Sequence, residues 1–264
     1  MHFARLPASV YRALIRREVI TTFHNRFVQI FAVVAWAGSI AVAALSGRPE
    51  AGAYGLLLLF LYLVPLFGLL VGVSAAHEER DERAFLWSQP VPRAAFVLGK
   101  AVTLIVALAA VLLGALVAGA VVGAGAGTLA LLWGLGTGLV LVSVSAGLAA
   151  GQYTTSRARG LMVVLGVWVV AFALYDAAAL GLSGLGAMQA LPAFWVGLLL
   201  LNPIDAVRLA GLFALEAVPF SAPGDAAWIG DLMAGLPAWV AVLTAVWTGG
   251  LLLLACRRLR RLDL

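Results

Sequence analysis

Residues 54–93 read YGLLLLFLYLVPLFGLLVGVSAAHEERDERAFLWSQPVPR, and this stretch decides the fold. Tyr54–Ala76 carries no charged side chain. A bilayer core of about 30 Å needs about 20 apolar residues at about 1.5 Å of helix rise each, so the run is long enough to cross. A soluble helix would show a polar face somewhere along this length, and none is present. Pro65 removes one backbone donor in the middle of the run and predicts a kink. Directly after Ala76 the chain turns to dense mixed charge.

Working outward, the same character holds throughout. The 264 residues are 64% hydrophobic and 11% charged, against about 45–50% and about 25% in ordinary soluble domains. The mean hydropathy is +1.07. This composition excludes a water-soluble globule, a disordered chain and a disulfide scaffold. The single cysteine, Cys256, allows neither an internal disulfide nor a cysteine metal cage. Six stretches are long and apolar enough to span: about 27–46, 54–76, 98–122, 129–150, 161–182 and 237–256. The predicted fold is an all-α membrane protein with six transmembrane helices, in one domain over residues 1–264. Gly123, Gly125 and Gly127 predict a tight turn between the third and fourth spans. Leu191–Leu201 is too short to cross and reads as a re-entrant or interfacial segment.

Of the 17 lysines and arginines, all but Arg48 and Arg208 fall on one side of this topology. The positive-inside rule makes that side cytoplasmic and places both termini there. The stretch at 27–46 reads as a span rather than a signal peptide, because 26 residues precede it. Residues 1–26 predict an amphipathic interfacial helix, with Val10, Tyr11, Leu14 and Ile15 on one face and Arg5, Arg12 and Arg16 on the other. A plain positive flank that only sets orientation explains the same arginines.

Residues 77–97 predict a cytoplasmic loop in which charge stands beside Phe85, Leu86 and Trp87, a pattern suited to docking a protein partner. Residues 183–236 form the only large extracytoplasmic segment. Within it, Asn202 reads as a helix cap, Pro203 as the first helical residue and Asp205 as a first-turn acid, with Arg208 in reach of Asp205. Asp176, preceded by Tyr175, is a carboxylate inside the fifth span. It reads either as a polar pathway or proton site, or as a group near the outer end held by a local bond.

Enzyme motifs are missing. The only lysine stands in Gly99-Lys100-Ala101, without the Ser/Thr or the spaced glycine of a P-loop. His77-Glu78-Glu79-Arg80-Asp81 lacks the second histidine of a zinc helix, and no Cys, His and Met cluster points to a metal site in this chain. The sequence predicts no catalytic residue, no resident cofactor and no nucleic-acid partner.

Six spans, an amphipathic first helix, a charged first cytoplasmic loop and an outer segment before the last span together resemble type-2 ABC exporter permeases. Glu78-Glu79, Phe85-Leu86, Pro90, Arg93 and Gly99-Lys100 resemble that family's pattern around its coupling helix, with Arg83-Ala84 standing where the family has Gly-Thr. Val167-Trp168, Tyr175-Asp176 and the run Leu198–Leu209 are most similar to the NosY-like permease of the transporter that matures nitrous oxide reductase. The resemblance implies a homodimer in the inner membrane, driven by a cytoplasmic ABC ATPase dimer that holds ATP and Mg. It implies coupling through Glu78, Glu79, Arg83, Phe85, Leu86, Pro90 and Arg93. It also implies an outer gate or a seat for a periplasmic partner at Asn202, Pro203, Asp205 and Arg208, serving copper-sulfur centre assembly. An exporter of a lipid, drug or peptide, and a scaffold or sensor subunit that transports nothing, stay open as other readings.

Overall fold

The computed structural model describes residues 8–81, 93–121, 123–183, 197–216 and 227–260. Among the described residues every regular element is a helix: α1 (Ala8–His24), α2 (Arg26–Ser46), α3 (Pro49–Asp81), α4 (Arg93–Val121), α5 (Ala126–Tyr153), α6 (Arg157–Val169), a π turn (Val170–Leu174), α7 (Tyr175–Ser183), α8 (Pro203–Glu216) and α9 (Ala227–Arg260). Six helical stretches are long and apolar enough to cross a membrane: Arg26–Ser46, Pro49–Arg80, Ala94–Val121, Ala126–Tyr153, Arg157–Ala179 and Gly235–Leu259. The predicted six-helix fold is therefore present. The fifth span is α6, the π turn and α7 in one line.

The helix ends follow local chemistry. Asn25 separates α1 from α2, and its Oδ1 accepts the Phe27 N–H at 2.9 Å. Gly47 closes α2 with φ of 61°, and Gly123 takes φ of 89° in the turn before α5, conformations that a Cβ disfavours. The glycine-marked turn is thus where the sequence puts it. Several boundaries differ from the sequence reading. The expected loop at 77–97 is helical at both ends, because α3, which begins at Pro49, continues to Asp81 and α4 begins at Arg93. The His, Glu and Arg side chains after Ala76 find partners on neighbouring helices, which holds the extra turn. The last span also starts early: α9 begins at Ala227 and runs through Pro237, as α3 runs through Pro65.

The core lies around α3, with Leu56, Leu57, Phe60 and Leu61 packed on Phe31, Leu104, Leu108 and Leu112 from α2 and α4. The apolar window of α3 is 61% buried, against 6% for the fifth span. Val33, Ile40, Val106, Leu113 and Val246 face outward, as lipid-facing residues must.

The closest packing in the bundle joins α3 to α5. Gly68, Gly72 and Ala76 fall at four-residue spacing on α3, and Ser143, Gly147 and Gly151 do so on α5. A Cβ at Gly72 would meet the Val144 carbonyl oxygen at 2.5 Å and the Leu148 nitrogen at 2.8 Å. One at Gly147 would run into the Leu69 carbonyl oxygen. Backbone thus touches backbone, which lipid-embedded helices achieve only with small residues. The glycines at 134 and 138 are looser: nothing lies within 4 Å of a Cβ at Gly134.

Gly147→Ala is expected to lower stability by about 1–3 kcal/mol, the usual cost of overpacking. Gly134→Ala should leave it unchanged or raise it slightly. Thermal unfolding of the two purified variants in one detergent checks the contrast.

Candidate functional site

The polar residues gather at the two ends of the bundle. At the far end, opposite the arginine-rich one, residues 197–199 are helical and the chain turns at 200–202 before α8, with the Leu201 N–H on the Leu198 carbonyl at 3.1 Å and side chains of neighbouring helices on its carbonyls. The Tyr175 hydroxyl donates to the Leu198 carbonyl. Trp239 Nε1 donates to the Leu200 carbonyl at 3.1 Å, and Trp247 Nε1 to that of Leu201 at 3.3 Å. Irregular backbone at this depth survives only when its groups are satisfied by protein.

Asn202 is the hub. Its backbone carbonyl accepts the Ala206 N–H at 2.9 Å, and its Oδ1 accepts the Ile204 N–H at 3.1 Å, so it caps α8 with Pro203 in the first helical position. Its Nδ2 donates at 2.7 Å to Asp205 Oδ2 and at 2.7 Å to the Ala171 carbonyl. Ala171 lies in the π turn, where the Tyr175 N–H reaches back to the Val170 carbonyl. Carbonyls of a π turn splay from the regular ladder, and Asn202 captures one of them.

The charges close the lock. Arg208 Nη1 lies 3.0 Å from Asp205 Oδ1, as the spacing in sequence suggests, and also 2.8 Å from Asp176 Oδ2 on the fifth span. Its guanidinium sits 5.4 Å from the Phe172 ring centroid, and Phe172 stacks on Trp168 with centroids 5.6 Å apart. The Asp176–Arg208 pair was not legible in the sequence reading, which left Asp176 between a pathway role and a local bond. The available signal was charge balance: one acid inside a span and one of two far-side arginines. Asp205, on α8 and outside the six spans, is buried. Burial raises its carboxyl to about 6; Arg208 pulls against this and the Asp176 carboxylate pushes with it.

At the basic end, the predicted coupling residues Glu78 and Glu79 sit on the last turns of α3, not on a free loop. Glu78 Oε1 accepts from Asn25 Nδ2 at 3.4 Å and from Ser74 Oγ at 3.3 Å. Arg157 at the start of α6 donates to Ser74 Oγ at 2.6 Å, and His77 Nε2 lies 3.1 Å from Thr154 Oγ1. Arg80 donates to the Gly151 and Thr155 carbonyls at 3.1 Å each, filling acceptors that the end of α5 leaves open. Lys100 on α4 is buried and pairs with Glu18 of α1 at 2.9 Å. Glu18, Glu78, Glu79 and Lys100 border a cavity of about 260 Å³. Arg93 opens α4. Arg83, Phe85, Leu86 and Pro90 lie outside the described residues, as do residues 184–196 and 217–226 of the outer segment. So do the side chains of Val10, Tyr11, Arg12, Leu14 and Ile15, although α1 itself is helical.

Arg208→Ala leaves two neighbouring carboxylates without their cation. It is expected to cost about 2–4 kcal/mol, below the figure for fully buried pairs because Asp176 is partly exposed. Asp176→Asn should cost clearly less, because Asp205 still neutralises Arg208. Thermal unfolding of the two variants checks the order. A folded-state carboxyl raised to about 6 from 3.8 stabilises the fold most at low pH. That contribution falls as pH rises through this window and is level above it. The difference in stability between wild type and Asp205→Asn, measured from pH 4 to 7, should therefore fall with rising pH and then flatten.

Residues 8–264 match the family model described as ABC-2 family transporter protein. No curated protein matches the chain. The family match covers almost every residue, so this multi-pass protein belongs to the ABC-2 transporter family, as a membrane subunit that leaves ATP hydrolysis to a partner ABC ATPase.

Proposed function

We propose that the protein is a homodimeric permease of the cytoplasmic membrane, with its arginine-rich end in the cytosol. It takes force from two ATPase subunits through residues 77–93 and delivers it to the polar lock at the far end. There Asn202, Pro203, Asp205, Arg208 and Asp176 gate the outer mouth or seat a periplasmic partner. The machine serves assembly of the copper-sulfur centres of nitrous oxide reductase.

One observation carries this reading. The two stretches most similar to the NosY-like permease are separate in sequence, yet they meet in one place, through Asn202 on Ala171 and Arg208 on Asp176. A force path is also available. α3 carries Glu78 and Glu79 at its basic end, while Leu57 in its far half packs against α8 at Gly211. A continuous helix that touches both ends can move one when the other is pushed. The little-buried fifth span supports a second permease alongside it. The far-end residues are carboxylates, an amide and a guanidinium rather than thiols or imidazoles, which favours passing force or a sulfur species over holding copper.

Phe85→Ala and Glu79→Ala should retain the ATPase in the purified complex while ATP hydrolysis loses its dependence on the permease. A wild-type protein that brings down no ATPase, or external labelling of a cysteine placed at Glu79, defeats the permease reading. A deletion strain that still fills its nitrous oxide reductase with the copper-sulfur centre defeats only the substrate assignment.

A further inference from the structure

A long apolar groove runs between α5, the fifth span and α9, with a volume of about 580 Å³. Leu139, Ala146 and Tyr153 of α5 line it along its length, facing Val164 and the α9 residues Leu251 and Leu254. From 139 to 153 a helix rises ~21 Å, roughly two thirds of the hydrocarbon thickness. Its lining is almost wholly apolar and suits a hydrocarbon chain.

Its polar atoms are already engaged. Ser143 Oγ donates to the Leu139 carbonyl of its own helix at 2.6 Å, Tyr175 to Leu198, and Asn202 to Ala171 and Asp205. A peptide would bury its backbone here without partners, at a cost of several kcal/mol per group. The far end is stopped by the pinned turn at 200–202. The other end opens beside Tyr153, which is 53% exposed and has the Arg258 guanidinium 5.5 Å from its ring centroid. Arg258 stands one turn beyond Leu254, and its Nε is buried without a hydrogen-bond partner among the described residues. Arg257 beside it is exposed. An apolar slot with a cationic mouth is complementary to an anionic amphiphile lying along the bilayer normal.

We propose that this groove holds one acyl chain of an anionic phospholipid, with the lipid phosphate against Arg258. The site follows from the bundle itself and does not depend on the ATPase coupling above.

The test is native mass spectrometry of the complex purified from nanodiscs of phosphatidylglycerol or phosphatidylcholine. Wild type should retain phosphatidylglycerol about fivefold better, the worth of one surface cation toward an anionic lipid. Arg258→Gln should erase that preference, and Ala146→Phe should lower retention of both lipids. Leu251→Trp, approaching from the opposite wall, should repeat the Ala146→Phe result if that variant folds poorly. Equal retention of the two lipids by wild type overturns the proposal, as does a preference untouched by Arg258→Gln. Groove-filling variants that dissociate the dimer while keeping their lipid assign the groove to a second copy of the chain, and also overturn it.

Discussion

A bilayer core offers no water, so each backbone group that leaves a helix there must find a partner within the protein. This constraint organises the far end. The chain leaves helical geometry at 200–202, and the fifth span and α9 supply Tyr175, Trp239 and Trp247 to the carbonyls of Leu198, Leu200 and Leu201. Ala171 lies in the π turn, and Asn202 Nδ2 donates to its carbonyl. The same demand at the other end is met by Arg80 on the last turn of α5. Once those bonds are made, the positions of Asp176, Asp205 and Arg208 are nearly fixed, because each lies within a few residues of a pinned atom.

The second organising element is the seam of small residues between α3 and α5. It brings two backbones into contact and lets α3 act as the axis of the bundle. The helix that carries Glu78 and Glu79 also packs on α8, so one continuous helix touches both polar ends. The fifth span contrasts with it, being little buried; its first half packs on α3 through Gly160, Val164 and Arg157, and its second half is held through the π turn and Asp176. π turns interrupt a helix and are frequent at functional sites, and this one carries the carbonyl that Asn202 holds.

Much of this architecture is readable in the order of residues. The six apolar runs, the Gly123 turn and the Asn202-Pro203 cap depend on neighbours a few positions away, and each lies where composition and spacing put it. The contact between Asp205 and Arg208 is of the same local kind. Boundaries were less legible. The charged residues after Ala76 look like a solvated loop, yet α3 keeps its helix to Asp81 because Asn25, Thr154 and the end of α5 supply partners. Those partners lie far away in sequence. Nothing local in the sequence sets Gly147 and Gly151 apart from Gly134 and Gly138 of the same helix; the seam uses Ser143, Gly147 and Gly151 because glycines of α3 face them.

The sequence by itself determined that the chain lives in a membrane, how many times it can cross, and which end carries the positive charge. Hydrophobic run length and arginine distribution are one-dimensional quantities, and the bilayer reads them directly. Tertiary structure alone decided that Asp176 meets Arg208, that Lys100 meets Glu18, and that an apolar groove opens at Tyr153, beside Arg258. Each of these depends on the rotation and depth of one helix against another. That relation is set by side-chain packing across the bundle, which no local pattern encodes.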